Sequence, residues 1–383
     1  MRIVIDGLPL LGEVSIAGYL RELLLHLAAE TERHEYCLFF RGFRAQTYRQ
    51  ATRLVADPTF ARFQAQITRV PDRFLEWCWT HHSWYLPLME AWLGVPDVFL
   101  STVYMTPVFR RAAVVMIAYD LIPLRFPQFY GQDQPLLPLR IRRSIERADA
   151  IIAISECTKQ DYVELLHADP ARIHVVYQGV DSRFCPVVDP IERDRVLAHY
   201  GILRPYVLYV GVLAPHKNVQ TLVRVFRRLK RSRGLPHQLV LCGRAKWGHA
   251  VVQEAHDLIA TGECSVLDFI PDHDVPYLYH GASALAFFSL YEGFGRPPLE
   301  AMACGVPVVA SNAASLPEVV GDAGLLVSPT DEGAIEEALY RVLTDTDLRQ
   351  ELRTRGFRQA ARFSWAEAAR QTLAICTMVG KTP

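Results

Sequence analysis

The sequence predicts an α/β protein built from two doubly wound, Rossmann-like domains of similar size. Three observations carry this. Short β-branched runs alternate with longer helical patterns along the whole chain, the rhythm of a parallel sheet covered on both faces. The rhythm pauses at VDSRFCPVVDPIERD (180–194), a polar stretch with two prolines and no period, which reads as a linker. Finally, 383 residues exceed the ~250–300 at which one hydrophobic core stops growing.

Taken in order, RIVID (2–6) is a strand, and the helix after it places Leu20, Leu23, Leu24 and Leu27 on one face. EYCLFF (35–40), AVVMIAYD (113–120) and AIIAIS (150–155) are further strands. TKQDYVELLH (158–167) reads as a helix, followed by IHVVYQG (173–179). After the linker the alternation restarts with PYVLYVG (205–211) and the helix VQTLVRVFRRLKRS (219–232). HQLVLCG (237–243), SVLDFI (265–270), ASALAFFSL (282–290) and VPVVAS (306–311) are the next strands. The expected domains are 1–182 and 183–362, with a final helix in 363–383 packing back toward the first domain.

Composition excludes several classes. The 41 basic and 41 acidic side chains cancel, so no overall field recruits nucleic acid. The basic stretch RRLKRSR (227–233) is most simply a solvated helix end. No apolar run approaches the ~20 residues of a membrane span, and the N-terminal residues lack the pattern of a secretory leader. Eight scattered cysteines with no CxxC pair or metal-type cluster fit a reduced, cytoplasmic setting.

In open α/β sheets, ligands bind at the carboxyl ends of the strands. With two domains facing each other, the cleft between them is the expected site. In the second half, the strand-end loops are 211–218, 243–249, 289–298 and 311–318. Loop 289–298 opens the string YEGFGRPPLEAMACGVPVVAS (291–311). Pro297 and Pro298 suit a helix start and Gly305 its end. Gly293 and Gly295, flanking Phe294, let the backbone approach a ligand closely. Their amides and the helix N-terminus favour an anion. Glu292 before the turn and Glu300 after it can then meet hydroxyls on either side of a diphosphate. The bland alternatives are a turn cap for Glu292 and dipole balance for Glu300.

This string resembles the signature of retaining glycosyltransferases with the GT-B fold, glycosyltransferase family 4 (group 1). Glu292 and Glu300 match its Glu-x7-Glu motif. The resemblance covers most of the chain, through YVGVLAPHKN (209–218), LVLCGRAKWG (239–248), SLPEVVGDAGLLVSPTD (315–331) and FSWAEAA (363–369), and in the first half AYDLIPLRFPQFY (118–130) and ISECTKQD (154–161). It implies transfer of a sugar from a nucleotide-sugar to an acceptor hydroxyl, with retention and without a metal cofactor. It implies that Glu300 holds the ribose, Glu292 lies beside the donor sugar and Lys217 is the cation on the diphosphate; the bland reading of Lys217 is a solvated surface lysine. Gly211 belongs to the same strand-end loop.

This chain departs from the pattern at four places. Val212 and His216 stand where relatives carry arginine, so Arg244 or Arg296 is left to supply the missing charge, unless either is a plain surface residue. In the first-half loop, VSIAGY (14–19) keeps only Gly18 of a glycine-rich segment. Tyr119 stands where many relatives have histidine. A phenol, with a reference pKa of about 10, would position the sugar rather than shuttle protons, with Asp120 orienting a hydroxyl. The bland reading has Tyr119 packed inward and Asp120 capping a turn.

Residues 72–92 hold four of the six tryptophans, with His81 and His82 among them. An interfacial anchor toward a lipid-linked acceptor is the sharper reading, and a packed helix pair the preferred one. The expected function is therefore hexose transfer, first of mannose from GDP-mannose, to a glycan or lipid-linked glycan, with peripheral membrane association a further expectation. The first domain is expected to bind the acceptor and the second the donor. Two rivals stay open: a GT-B sugar-nucleotide epimerase or phosphorylase, and a nucleotide-sugar-binding protein without turnover. Hydride transfer is disfavoured, because GFGRPP lacks the third glycine of a dinucleotide fingerprint.

Overall fold

The computed structural model describes residues 1–12, 15–30, 34–42, 45–68, 70–81, 88–130, 136–203, 205–244 and 249–380. Val14, His82, Trp84 and residues 245–248 fall outside that set. The chain divides into two compact units, one of residues 1–179 with 364–383 and one of residues 180–363.

The first unit holds β1 (Arg2–Asp6), β2 (Glu35–Arg41), β3 (Phe63–Thr68), β4 (Val98–Ser101), β5 (Ala113–Ala118), β6 (Ala150–Ala153) and β7 (Ile173–Val175). They form one parallel sheet in the order β3-β2-β1-β4-β5-β6-β7. The second unit holds β8 (Tyr206–Val210), β9 (Gln238–Cys242), β10 (Cys264–Leu267), β11 (Ala284–Phe287), β12 (Val308–Ser311) and β13 (Gly324–Val327). These are also all parallel, in the order β10-β9-β8-β11-β12-β13. The central strands are almost wholly buried, which explains their continuous apolar runs.

Strand order reverses between β1 and β4 in the first sheet and between β8 and β11 in the second. At such a switch, loops leave adjacent strands toward opposite faces and open a crevice at their carboxyl ends. This topology places the loops after β8 and β11 side by side, although they lie far apart in sequence.

Three strands were not anticipated. β4 and β13 have four residues each. β3 lies at the sheet edge and carries the exposed Gln64 and the half-buried Gln66. The linker reading also needs correction. Residues 180–194 belong to the second unit, and a helix, Pro190–His199, starts inside them. Asp189 caps it, accepting from the Ile191 N–H at 2.9 Å, with Pro190 at the first helical position. The start is thus encoded by a cap and a proline rather than by hydrophobic period.

The last helix, Trp365–Gly380, packs along helix Ser15–Glu30. Gly179 permits this approach of the chain, since a Cβ there would meet the Trp365 backbone nitrogen at 2.1 Å. Gly18 lies within helix Ser15–Glu30, so the expected glycine loop at 14–19 is helical over its described part.

Candidate active site

Two loops build the centre of the site. After β8, the chain turns at Gly211, whose φ of +147° favours glycine, and whose N–H donates to the Cys242 carbonyl at 2.9 Å. A short 3-10 turn, Pro215–Lys217, follows. Asn218 ends it at φ +56° and ties it down, donating from its amide to the Pro329 carbonyl at 2.8 Å and accepting from Thr221 at 2.7 Å. After β11, the Leu290 N–H donates to the His216 carbonyl at 2.8 Å. That bond clamps the two loops together at the switch point of the sheet.

The clamp brings Lys217 and Glu292 into contact. The lysine Nζ lies 2.6 Å from each carboxylate oxygen and 5.7 Å from the Phe287 ring centroid. Glu292 is only 7% exposed and Lys217 is half-buried, so this is a partly buried ion pair rather than the solvated lysine of the bland reading. Tyr209, stacked on Phe287 with centroids 5.9 Å apart, forms the floor. Burial, and then Glu292, hold its phenol well above the usual range.

The glycine turn connects Glu292 to helix Arg296–Ala303. Gly295 is its N-cap at φ +109°, and a Cβ there would meet Leu316 Cδ2 at 2.6 Å. No side chain caps this helix, which leaves its N-terminus suited to an anion. Ser315 pins the turn from outside, its hydroxyl 2.9 and 2.6 Å from the carbonyls of Glu292 and Phe294, to which it donates. Phe294 is buried, edge-on to Phe363 at 5.7 Å, so it anchors the turn rather than contacting a ligand.

Glu300 lies in the second turn of the helix, not the first, and is 9% exposed. Tyr279 donates to its Oε2 at 2.8 Å. Burial, with Glu300 next, raises the Tyr279 phenol well above its usual value, so it stays a donor. Glu300 Oε1 lies 3.4 Å from Arg296. Two carboxylate–cation pairs, Lys217–Glu292 and Arg296–Glu300, therefore flank the turn. Arg244 is exposed beside Phe269, 5.8 Å from its ring centroid.

His216 is buried, and its imidazole is pushed down to about 4, first by burial and then by Lys217. It is neutral at working pH and offers no charge to a phosphate. The folded state disfavours its proton, so stability is full above the unfolded value near 6.5 and falls as pH drops from there toward 4. The expected loss at this one site is about 3 kcal/mol. Chemical denaturation across that range should show a shallower decline for His216→Gln than for the wild type.

The first-half candidates behave differently. Tyr119 follows β5, away from the switch between β1 and β4. Its ring is edge-on to Tyr19 at 5.3 Å, and Tyr19 packs in turn against Trp365 at 5.3 Å. The Tyr119 hydroxyl is buried with no hydrogen-bond partner among the described residues. The phenol expected to present itself to a sugar is thus enclosed by aromatic packing. Burial, then Tyr19, push it well above the usual tyrosine range. Asp120 accepts from the Ile122 N–H at 3.1 Å, the turn-capping geometry of the blander alternative.

Sequence reasoning missed Tyr279, Ser315 and Phe287. Ser315 lay in a loop already marked as strand-terminal, while Tyr279 and Phe287 carry no pattern that separates them from core residues. Asp272 and Asp274, an acidic pair following β10, turn to other partners: Asp272 to Arg183 at 3.6 Å and Asp274 to Tyr200 at 2.7 Å.

Two doubly wound parallel domains, with an acid–glycine turn–acid motif at the switch point of the second, define a GT-B glycosyltransferase. Residues 16–184 match the model of glycosyltransferase family 4, and residues 203–359 that of the glycosyl transferases group 1. O-antigen chain mannosyltransferase B of Escherichia coli is 33% identical over 294 residues, covering 75% of this chain and 76% of that protein. Alpha-maltose-1-phosphate synthase of Mycolicibacterium smegmatis is 32% identical over 314 residues, 77% of each chain. Among solved structures, Anabaena HepE in complex with UDP-glucose superposes with a TM-score of 0.73 at 16% identity, over 99% of this chain and 100% of that one; it shows the shared fold. The chain belongs to glycosyltransferase family 4.

Proposed function

We propose that the chain transfers mannose from GDP-mannose, with retained anomeric configuration and without a metal, to a hydroxyl of a surface-glycan acceptor. The observation that carries the reading is the partly buried Lys217–Glu292 pair at the β8/β11 switch point. A buried carboxylate paired with a half-buried ammonium is costly to hold without a task. Here the ammonium stands where a diphosphate over the glycine turn would need a cation. Similarity to the E. coli O-antigen mannosyltransferase supports the sugar and the acceptor class.

In this reading Lys217 is shared between Glu292 and the diphosphate, neutralising charge as the bond from C1 to the phosphate oxygen breaks. The acceptor oxygen forms the new bond to C1 on the same face, and its proton passes to the leaving phosphate. Glu292 accepts from sugar hydroxyls while keeping the lysine in place. Glu300, fixed by Tyr279 and Arg296, accepts from the ribose. The amides of the turn and the helix N-terminus complete the anion site.

The test is a donor panel of GDP-mannose, UDP-glucose and UDP-galactose with lipid-linked glycan acceptors, scored by released nucleoside diphosphate and transferred sugar. GDP-mannose should be turned over fastest, with activity unchanged by EDTA. Preference for a uridine donor overturns the donor assignment, and an EDTA-sensitive rate restored by Mg²⁺ or Mn²⁺ overturns metal independence. Glu300→Gln should weaken GDP binding about tenfold, within the ~1–3 kcal/mol of a charged hydrogen bond. Calorimetry reads this directly, and unchanged affinity removes Glu300 from the ribose.

A further inference from the structure

The eight cysteines are free thiols, and two of them meet beside the Glu300 end of the site. Cys304 is the C-cap of helix Arg296–Ala303, its N–H donating to the Glu300 carbonyl at 3.0 Å. Its thiol is buried, and the backbone N–H of Cys185 points at the sulfur. Cys185 is half-buried, and its thiol donates to the Val187 carbonyl at 3.1 Å. Its own carbonyl accepts from the His280 ring. The residue before it, Phe184, lies edge-on to Tyr279 at 5.6 Å, and Tyr279 is the phenol that holds Glu300. An accessible thiol and an enclosed one therefore share one neighbourhood, joined through Tyr279 and Glu300. The other partly exposed cysteine, Cys157, lies in the first unit.

In any cysteine the sulfur is three bonds from the backbone nitrogen. A sulfur resting on the Cys185 amide is thus within a side-chain rotation of the Cys185 sulfur, and one χ1 change turns that sulfur away from Val187 toward Cys304. We propose that Cys185 and Cys304 form a reversible disulfide on exposure to a hydroperoxide, and that this bond weakens the hold of the site on its nucleotide. The order of events follows from burial. Burial, then Glu300, raise the Cys304 thiol well above its usual range, so the more accessible Cys185 meets the oxidant first. The Cys185 thiolate attacks one peroxide oxygen, the O–O bond breaks, an alcohol or water leaves, and Cys185 becomes a sulfenic acid. The Cys304 sulfur then attacks the Cys185 sulfur. The S–S bond forms, the S–O bond breaks, and the hydroxyl leaves as water with the Cys304 proton. Two thiols and one hydroperoxide give one disulfide, one water and the alcohol, and a reducing compartment returns the thiols. Drawing Cys304 toward Cys185 pulls on the helix end that carries Glu300.

The effect on the nucleotide rests on the proposed ribose role of Glu300; the bond itself does not. The full chain is treated with hydrogen peroxide and its peptides are mapped by mass spectrometry without reduction. A cross-link between Cys185 and Cys304 is expected, reversed by dithiothreitol and absent in Cys185→Ser. Cys304→Ala should leave Cys185 as a sulfenic acid that dimedone captures. The cross-linked protein should bind GDP about tenfold more weakly, the loss of one charged hydrogen bond. Dithiothreitol should restore the affinity, and peroxide should leave the affinity of Cys185→Ser unchanged. Absence of the link in oxidised wild-type protein, or a link that forms only in urea, overturns the inference. A complete link with unchanged GDP affinity overturns its control of the site. Wild-type GDP affinity in Glu300→Gln overturns the ribose assignment instead and leaves the link standing.

Discussion

Lys217→Met is expected to cost about 3 kcal/mol of folding stability and to slow turnover roughly a thousandfold. The two losses have separate causes. Glu292 is 7% exposed and its oxygens each lie 2.6 Å from Lys217. Removing the ammonium leaves a buried carboxylate without its counter-charge, which accounts for the stability. On the proposed reading, removing it also withdraws the cation from the leaving diphosphate, which accounts for the rate. Converting both residues to apolar ones separates them. Lys217→Met with Glu292→Leu should recover most of the stability, because an apolar pair of similar volume is tolerated where a broken ion pair is not. Its turnover should stay as low as that of the single variant. Urea denaturation and initial rates on the three variants form the cycle. A double variant as unstable as the single one, or a single variant with wild-type turnover, removes the pair from the account.

Gly295→Val should be as damaging, for a backbone reason. Gly295 has φ +109°, a region that L side chains rarely adopt, and its Cβ would fall 2.6 Å from Leu316 Cδ2. Leu316 is fully buried and cannot swing aside. Strain and overpacking together put the cost at roughly 2–5 kcal/mol. Glu292, Arg296 and Glu300 are all positioned by this turn, so donor binding should be lost with it. Gly262→Ala is the control. Its φ is +69° and nothing lies within 4 Å of the added Cβ, so only about 1 kcal/mol of backbone strain is expected. Equal denaturation midpoints for the two variants would show that the contact with Leu316 is irrelevant.

Much of the fold was legible because buried parallel strands are written as continuous apolar runs, and the runs at 205–211, 237–243 and 306–311 correspond to β8, β9 and β12. β4 and β13 were not, although they are no shorter than β12, nor was the helix at Pro190–His199, which is announced by a cap rather than a period. In the site, the prolines and glycines around 293–298 marked the turn and helix start through the backbone conformations they allow or forbid. The pairing of Lys217 with Glu292, 75 residues apart, was invisible to spacing. It depends on β8 and β11 being neighbours, a property of strand order. Tyr119 was misread for a related reason: a strand-end position says that a side chain is near an opening, and not whether Tyr19 has already covered it.

The central claim, retaining transfer of a hexose from a nucleotide-sugar, is tested most directly by the anomeric configuration of the product. The one-bond carbon–proton coupling at the transferred C1, read by nuclear magnetic resonance on product made from GDP-α-mannose, should be that of an α-mannoside. A β-mannoside would contradict the account.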